Sequence, residues 1–518
     1  MSPLFAADQA PTEVVSAIGA AGSRWEDLDE ADRRLGVSKL RLAGVYDDRQ
    51  EGRFMLRTRI PGGRTNADQL EAVAGVVRDF AARPEGEEGP DRFAEITTRQ
   101  DLQIHWLRLE TLPEIWRRYE AVGLTSAQAC GDTLRNVTSC PVDGVDPDGV
   151  LETRPIVERL RAFAFERERL TAFLPRKFKV VVTGCPTDCV VARVNDLAFT
   201  PARRGGSVGF NVHAGGGLSD SPRLASPLDL FVEPAQVVDV VRATLELYRD
   251  RGDFEHKAVN RFRVLVHELG VDEIAREVRE RLPFEAPQSG EDASTWRAED
   301  HVGVRPDSGG TSNVGLCVPL GRVTADEIAE LARLARDHGD GEVRLTQRQN
   351  LVVTGVGDPD ALLAEPLLER LRPDPDPVER SVVACTSAPF CKFAILDVKS
   401  YGRDLIDALR GTVPAERANG LRIHLSGCKA SCAQVQAAHI GLRATMGKDD
   451  ESYKDAFDVA LGGDLGAGRL GRWARLEVPA ERAFRAIGKT LEAVGTGEFL
   501  LDDLSPETGG SRFGGAER

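Results

Sequence analysis

The chain carries one sequence pattern twice. PGGRTNADQL, from Pro61, aligns without a gap with PLGRVTADEI, from Pro319, and an apolar pattern of helical period follows each (EAVAGVVRDF, AELARLARDH). TTRQDLQ then answers TQRQNLV, RNVTSC answers RSVVAC, VTGCPTDC answers LSGCKASC, and AGGGLS answers LGGDLG, all in the same order. Repetition constrains the fold more than any composition value, because two copies of one sequence must fold alike and then pack on each other. Strand, Gly/Pro turn, helix and strand recur in each copy, an α/β (α+β) pattern. The organisation expected is an N-terminal extension over 1–45, a first half-domain over 46–125 and its partner domain over 126–285. A polar linker over 286–310 leads to a second half-domain over 311–375, a second partner domain over 376–504 and a flexible tail over 505–518. Inside the first copy, ARPEGEEGPD is charged and rich in Gly and Pro, a solvated loop the second copy lacks.

A net charge of −15 argues against a general nucleic-acid or anionic-membrane binder, which needs a basic face. The opening MSPLFAADQAPTEVV has neither a basic start nor an apolar core, and no run is long enough for a membrane helix. A cytoplasmic protein is expected, and there the nine cysteines are free thiols or metal ligands rather than disulfides.

The second copy carries two close pairs of thiols, Cys385 and Cys391 in CTSAPFC, and Cys428 and Cys432 in GCKASC. In the first copy Cys140, Cys185 and Cys189 stand at the repeat positions of Cys385, Cys428 and Cys432, while Asp146 stands where Cys391 does. One set keeps four ligands and the other is its relic. Spacing leaves three readings open for the full set: an iron–sulfur centre, a structural zinc site, or buried thiols. Cys130 and Cys317 have no repeat partner and read as core residues. His213 and His439 read as hydrogen-bonded structural histidines.

In order along the chain, RTRIPGG, TTRQDLQIH, RNVTSCP, LPRKFK, NDLAF, GFNVHAGGGLS, RLTQRQN, the Cys385–Cys391 pair and GCKASCAQ resemble the siroheme- and iron–sulfur-dependent nitrite and sulfite reductases. The resemblance covers nearly the whole chain. It implies two ferredoxin-like half-domains packed together and two larger α/β domains around a siroheme and a 4Fe–4S cluster. The cluster would sit on Cys385, Cys391, Cys428 and Cys432, with Cys432 also the axial ligand of the siroheme iron. Arg57, Arg135, Lys177 and Lys179 fall on the family's anion-binding positions. Arg99, Gln103 and His105, with Asn136 and Arg176, fall on positions that hold the eight siroheme carboxylates; their alternation suits one face of a strand. The chemistry agrees: six electrons entering one small anion need an open iron, an electron feed and cationic proton donors.

Departures from the family pattern carry expectations of their own. Ser387 and Ala388–Pro389 replace a Gly and a bulkier pair. Lys429 stands where Pro is common, placing a cation near the cluster, which raises its reduction potential. Thr133 stands where some relatives carry a cysteine linked to tyrosine, so no such link is expected. Lys179 is the feature of sulfite reductases, whereas the second half and the Cys185/Cys189 pair look like the ferredoxin-dependent nitrite reductases. Nitrite is the expected substrate and sulfite the alternative. A siroheme- or zinc-binding homologue without this activity is the alternative of another class. With no flavin or nicotinamide domain evident, a small carrier such as ferredoxin is the expected donor, docking on a local Lys/Arg patch, and a monomer is expected.

Overall fold

The computed structural model describes residues 39–493 apart from positions 88, 257–258, 412–419 and 449–452, with residues 13 and 36 in addition. The expected tail over 505–518 and most of the expected extension lie outside the described residues. The last part of that extension belongs to the frame: Leu40 and Ala43 are buried, and Val45–Asp47 is an edge strand paired with Phe54–Thr58.

The two half-domains exchange a strand. One sheet runs Val45–Asp47, Phe54–Thr58, Leu102–Leu107, Phe93–Ile96 and then Arg322–Thr324 from the other copy. The second sheet repeats this order with Gly303–Pro306, Ser312–Leu316, Leu351–Val356 and Glu342–Leu345, and ends on Arg64–Asn66 from the first copy. Each exchanged strand leads into a capped helix. Asn66 and Gln69 close a reciprocal capping box on helix Ala67–Phe80, and Thr324 and Glu327 close its counterpart on helix Ala325–His338, each box contributing about 1 kcal/mol. The helices bury Leu70, Val73 and Val77 and Ile328, Leu331 and Leu334 in one core that spans both copies. Burying each such side chain stabilises by about 1.5–3 kcal/mol.

The repeated Arg-Gln turn completes the seam. Gln100 donates from Nε2 to Leu345 O (2.8 Å), and Gln349 donates from Nε2 to Ile96 O (2.9 Å), each reaching the other copy. Their Oε1 atoms accept from Ser139 N and Ala384 N, each one residue before a cysteine.

The two larger domains repeat one another less closely. In the second, Val382–Ala384, Ile423–Ser426 and Ile440–Lys448 run parallel, and Tyr453–Leu461 and Arg472–Pro479 continue antiparallel. In the first, Val180–Val182 runs parallel to Leu197–Arg204, followed by antiparallel Ser207–Ala214 and Ser226–Val232. The counterpart of Val382–Ala384 is reduced there to the parallel bridges Leu134–Phe178 and Thr138–Val181. The expected linker is stitched down rather than free. Glu291–Asp292 adds an edge to the Leu197–Arg204 strand, Thr295 N donates to Pro186 O, and Asp188 N donates to Arg297 O.

Candidate functional site

Two neighbouring parallel strands end side by side and deliver the second-half cysteines. Cys385 follows Val382–Ala384, and Cys428 follows Ile423–Ser426 after Gly427. Gly427 is required by close approach, since a Cβ there would lie 3.0 Å from Ser387 Cβ and 3.1 Å from Ala394 Cβ. Its N–H donates to Cys385 Sγ (3.2 Å). The Cys391 loop turns at Ser387, whose φ of 55° is a left-handed conformation that favours glycine. The first half clamps this loop. Arg49 donates to Ala394 O, Lys392 pairs with Asp47, and Phe390 packs against Phe93, His105 and Trp106. Thr98 Oγ1, in the first Arg-Gln turn, donates to Cys432 O (2.9 Å).

The four thiols sense one another electrostatically, and burial first, then their mutual charges, push Cys385 and Cys428 up. Among the described residues, no three of them come within 4.8 Å of each other. A single ion would draw its sulfurs together, whereas a cube of four irons holds them apart. Cys432 alone of the nine thiols is exposed.

Cations of the first half converge on that thiol. Arg57 and Arg135 both donate to Ala129 O, at 3.2 and 3.1 Å. Arg57 also donates to Gln103 Oε1, and Gln103 Nε2 donates to Thr386 Oγ1 beside Cys385. Lys177 and Lys179 flank the buried Phe178, and neither ammonium has a hydrogen-bond or ion-pair partner among the described residues. Burial, then Arg261 and Arg135, depress Lys177 to about 7, with Cys432 opposing. Burial and the neighbouring Lys177 and Arg261 hold Lys179 well below the ordinary lysine range. Burial opposes the charge on Arg57, but Cys130, Asp101, Tyr46 and Cys432 together hold it above the usual value. Arg57 Nε, Arg99 Nε, Arg261 Nε and Arg263 Nη1 are buried without a partner. Buried donors without acceptors are rare in a finished site, so an anionic group fits here.

Several expected positions also have partners within the protein. Arg99 lies in the turn before the strand, not on its face. It donates to Asn195 Oδ1 (2.7 Å) and Asn136 O (2.6 Å), leaving Nε as its open donor. Asn136 donates to Ile60 O and Arg99 O, a stitch between domains. His105 Nδ1 is hydrogen-bonded to Asp48 (3.0 Å), while its Nε2, 3.9 Å from Glu95, is buried without a hydrogen-bond partner. Arg176 pairs with Asp132 at 3.0 Å. Lys429 is 73% exposed and pairs with Asp220, so its field at the cluster loop is screened. His213 and His439 are hydrogen-bonded, to Thr200 Oγ1 and Arg422 N. Cys317 is buried core, whereas Cys130 is buried beside Arg57, whose charge it shares with Tyr46. Arg261 and Arg263 were not legible as site residues. They fall in no repeat match, and the only signal is two arginines, spaced by one residue, at the start of the apolar helix Phe262–Leu269.

The sequence pattern of the nitrite and sulphite reductase 4Fe-4S domain matches residues 130–285, and that of the nitrite/sulfite reductase ferredoxin-like half domain matches residues 46–122 and 304–372. The chain is 39% identical over 494 residues to an assimilatory ferredoxin-dependent nitrite reductase of Haloferax mediterranei, covering 90% of this chain and 84% of that one. It is 37% identical to the ferredoxin–nitrite reductase of Synechococcus elongatus, over 85% of this chain and 86% of that one. The solved structure of the Mycobacterium tuberculosis NirA protein superposes with a TM-score of 0.84 at 27% identity, covering 96% of this chain and 95% of that one. The half-domain pattern recurs where the strands are exchanged, and the likeness runs through both copies: the chain belongs to the nitrite and sulphite reductase family.

Proposed function

We propose that this oxidoreductase is an assimilatory nitrite reductase, reducing nitrite to ammonia with siroheme between the halves and a 4Fe–4S cluster on Cys385, Cys391, Cys428 and Cys432. The observation that carries the reading is the exposed Cys432 of one half, standing in the field of Arg57 and Lys177 of the other. Siroheme carries eight carboxylates, and the unpartnered ammoniums and buried guanidinium N–H groups suit such a ligand. When bound, it supplies an iron with an open position that passes electrons to the substrate. The chain's own groups do the rest. Arg57 and Arg135, fixed by one carbonyl, present N–H donors to the substrate oxygens. Lys177 Nζ, held near 7 in the absence of an anion, is matched to giving up and regaining a proton at neutral pH.

The relatives' names support ferredoxin as donor. Phe393, 74% exposed, and Ile395 lie beside Cys391, with Arg49 and Lys392 on the same loop clamp. A cavity of ≈ 990 Å³ that includes Ala388 and Pro389 has a mixed wall, Arg403 and Arg410 beside Glu379 and Asp407. An apolar tip beside Arg49 and Lys392 suits an acidic carrier despite the net charge. Among the described residues no helix is long and apolar enough to cross a membrane.

Lys179 supports sulfite as a second reading. The purified protein should absorb in the red as siroheme does and form ammonia from nitrite with reduced ferredoxin. In the same assay Lys179→Asn should lower kcat/KM for sulfite ten-fold or more, about 1.4 kcal/mol, and spare nitrite. A colourless protein would end the proposal, and equal losses on both anions would remove Lys179 from substrate choice.

A further inference from the structure

The first-half cysteines are not scattered core thiols. Cys140 Sγ, Cys185 Sγ and Cys189 Sγ all lie within 4.8 Å of one another, and all three residues are buried. They form no disulfide. Around them is an apolar shell of Val142, Val181, Val190, Ala198 and Val352. Into that shell the linker inserts a buried imidazole: His301 Nε2 is 3.6 Å from Cys140 Sγ. Asp146 Oδ2 stands 3.7 Å from Cys185 Sγ.

A histidine nitrogen meets a buried sulfur here within hydrogen-bond distance, and the linker backbone is unusual where it does so. His301 has a φ of 59°, an uncommon left-handed conformation for a residue with a side chain. Its backbone passes where the second copy has Gly315, the repeat position of Arg57. A Cβ on Gly315 would lie 1.7 Å from His301 O. The arginine of the working site is thus replaced by the residue that lets the histidine through.

We infer that Cys140, Cys185 and Cys189 bind one thiophilic divalent cation of the zinc class. His301 Nε2, which lies beside Cys140 alone and outside the group of mutually close sulfurs, closes on the ion as fourth ligand when it binds. A tetrahedral ion with sulfur at about 2.3 Å and nitrogen at about 2.0 Å places S and N about 3.6 Å apart, the separation found for Cys140 and His301. Three thiols this close suit one shared ion and not a four-iron cube, whose ligand sulfurs stand farther apart. Asp146, at the position of the missing fourth cysteine, accepts from the Cys185 thiol, a bond given up when that sulfur loses its proton to bind the ion. The ion clips the linker to the first half, one residue from the Asp300 that grips the second.

Metal analysis of the intact protein, purified with zinc present and then dialysed, tests this. One zinc per chain is expected, with a zinc-edge absorption spectrum showing three sulfurs and one nitrogen. The double variant Cys185→Ser/Cys189→Ser should keep its iron and lose at least nine-tenths of its zinc, and His301→Ala should weaken zinc binding at least ten-fold. Zinc below one-tenth per chain in the unaltered protein, a shell of oxygens, zinc retained by the double variant, or iron lost with it would each overturn the assignment. If the double variant fails to fold, the absorption spectrum of the unaltered protein decides alone.

Discussion

Two pseudo-equivalent sites lie between the halves of this molecule, and they have diverged in opposite directions. In one, the first half provides Arg57, Arg99, Arg135, Lys177 and Lys179, and the second half provides four cysteines. In its mate the roles are exchanged. Arg348, Arg380 and Arg422 stand at the repeat positions of Arg99, Arg135 and Lys179, Gly315 and Gly420 replace Arg57 and Lys177, and three cysteines come from the first half. The mate is closed by the linker. Asp300 accepts two hydrogen bonds from Arg380 (2.7 and 2.6 Å) and lies 3.7 Å from Arg348, while His301 enters the thiol group. A duplicated frame inherits buried cations at both sites, and buried cations need anions. At one site the chain supplies its own carboxylate. Buried donors stay open at both sites, Arg348 Nε and Arg422 Nε in the mate and Arg57 Nε and Arg99 Nε in the other. Only the latter adds two ammoniums without a partner among the described residues, which suits a bound anionic cofactor.

The largest way to break the symmetry is at the thiols. Cys432→Ser should empty the working site, dropping iron from about five to about one per chain or fewer, with nitrite reduction lost entirely. Cys185→Ser/Cys189→Ser, at the pseudo-equivalent positions, should leave iron and the cofactor spectrum intact. If the second variant lost about four irons, the two sites would be alike and the comparison would collapse.

The plug comes next in size. Asp300→Asn removes the buried carboxylate and strands Arg348 and Arg380, and breaking such a pair costs about 3–5 kcal/mol. The thermal midpoint of unfolding should fall accordingly. Added sulfate should recover part of the loss in the variant but leave the unaltered protein unmoved at this site, because the anion replaces Asp300. An unchanged midpoint would mean that Asp300 does not balance these charges.

The unequal fates of the two sites were only half legible in the sequence. Thiols and arginines match as letters across the copies, so both cysteine sets and most cations could be placed by alignment alone. The strand exchange could not. Arg64–Asn66 and Arg322–Thr324 are three-residue strands whose letters read the same whether they pair within their own copy or across. Asp300 and His301 were hidden for another reason: each is one polar residue in a polar stretch, and only burial, at 6% and 4%, separates them from solvated neighbours. His105 shows the same limit: its place on an alternating strand fixes a face but not what lies opposite, and only the structure brings Asp48 to its Nδ1. Composition and period report the local chain. The partners come from tertiary structure.

The smallest effect sharpens the contrast between an open and a closed site through protons. Burial and neighbouring cations depress Lys177 to about 7, and Lys179 is also held well below the ordinary range. Asp300, by contrast, is pushed up by burial but held below the carboxylate range by Arg380 and Arg348, so the mate keeps its charge balance throughout neutral pH. An anion entering the open site favours charged lysine, so Lys177 takes up a proton on binding. Below about pH 7 this lysine is already charged and contributes no slope. Above it, affinity for a non-titrating anion such as sulfate should fall by up to ten-fold per pH unit, about 1.4 kcal/mol for each proton taken up. Calorimetry of the cofactor-free protein in buffers of different ionisation enthalpy counts that proton directly. Lys177→Gln should abolish its share of the slope while leaving the Asp300 site untouched. A pH-independent affinity from 7 to 9 in the unaltered protein would show that Lys177 is not the charge the anion meets, and the open site would then rest on Arg57 and Arg135 alone.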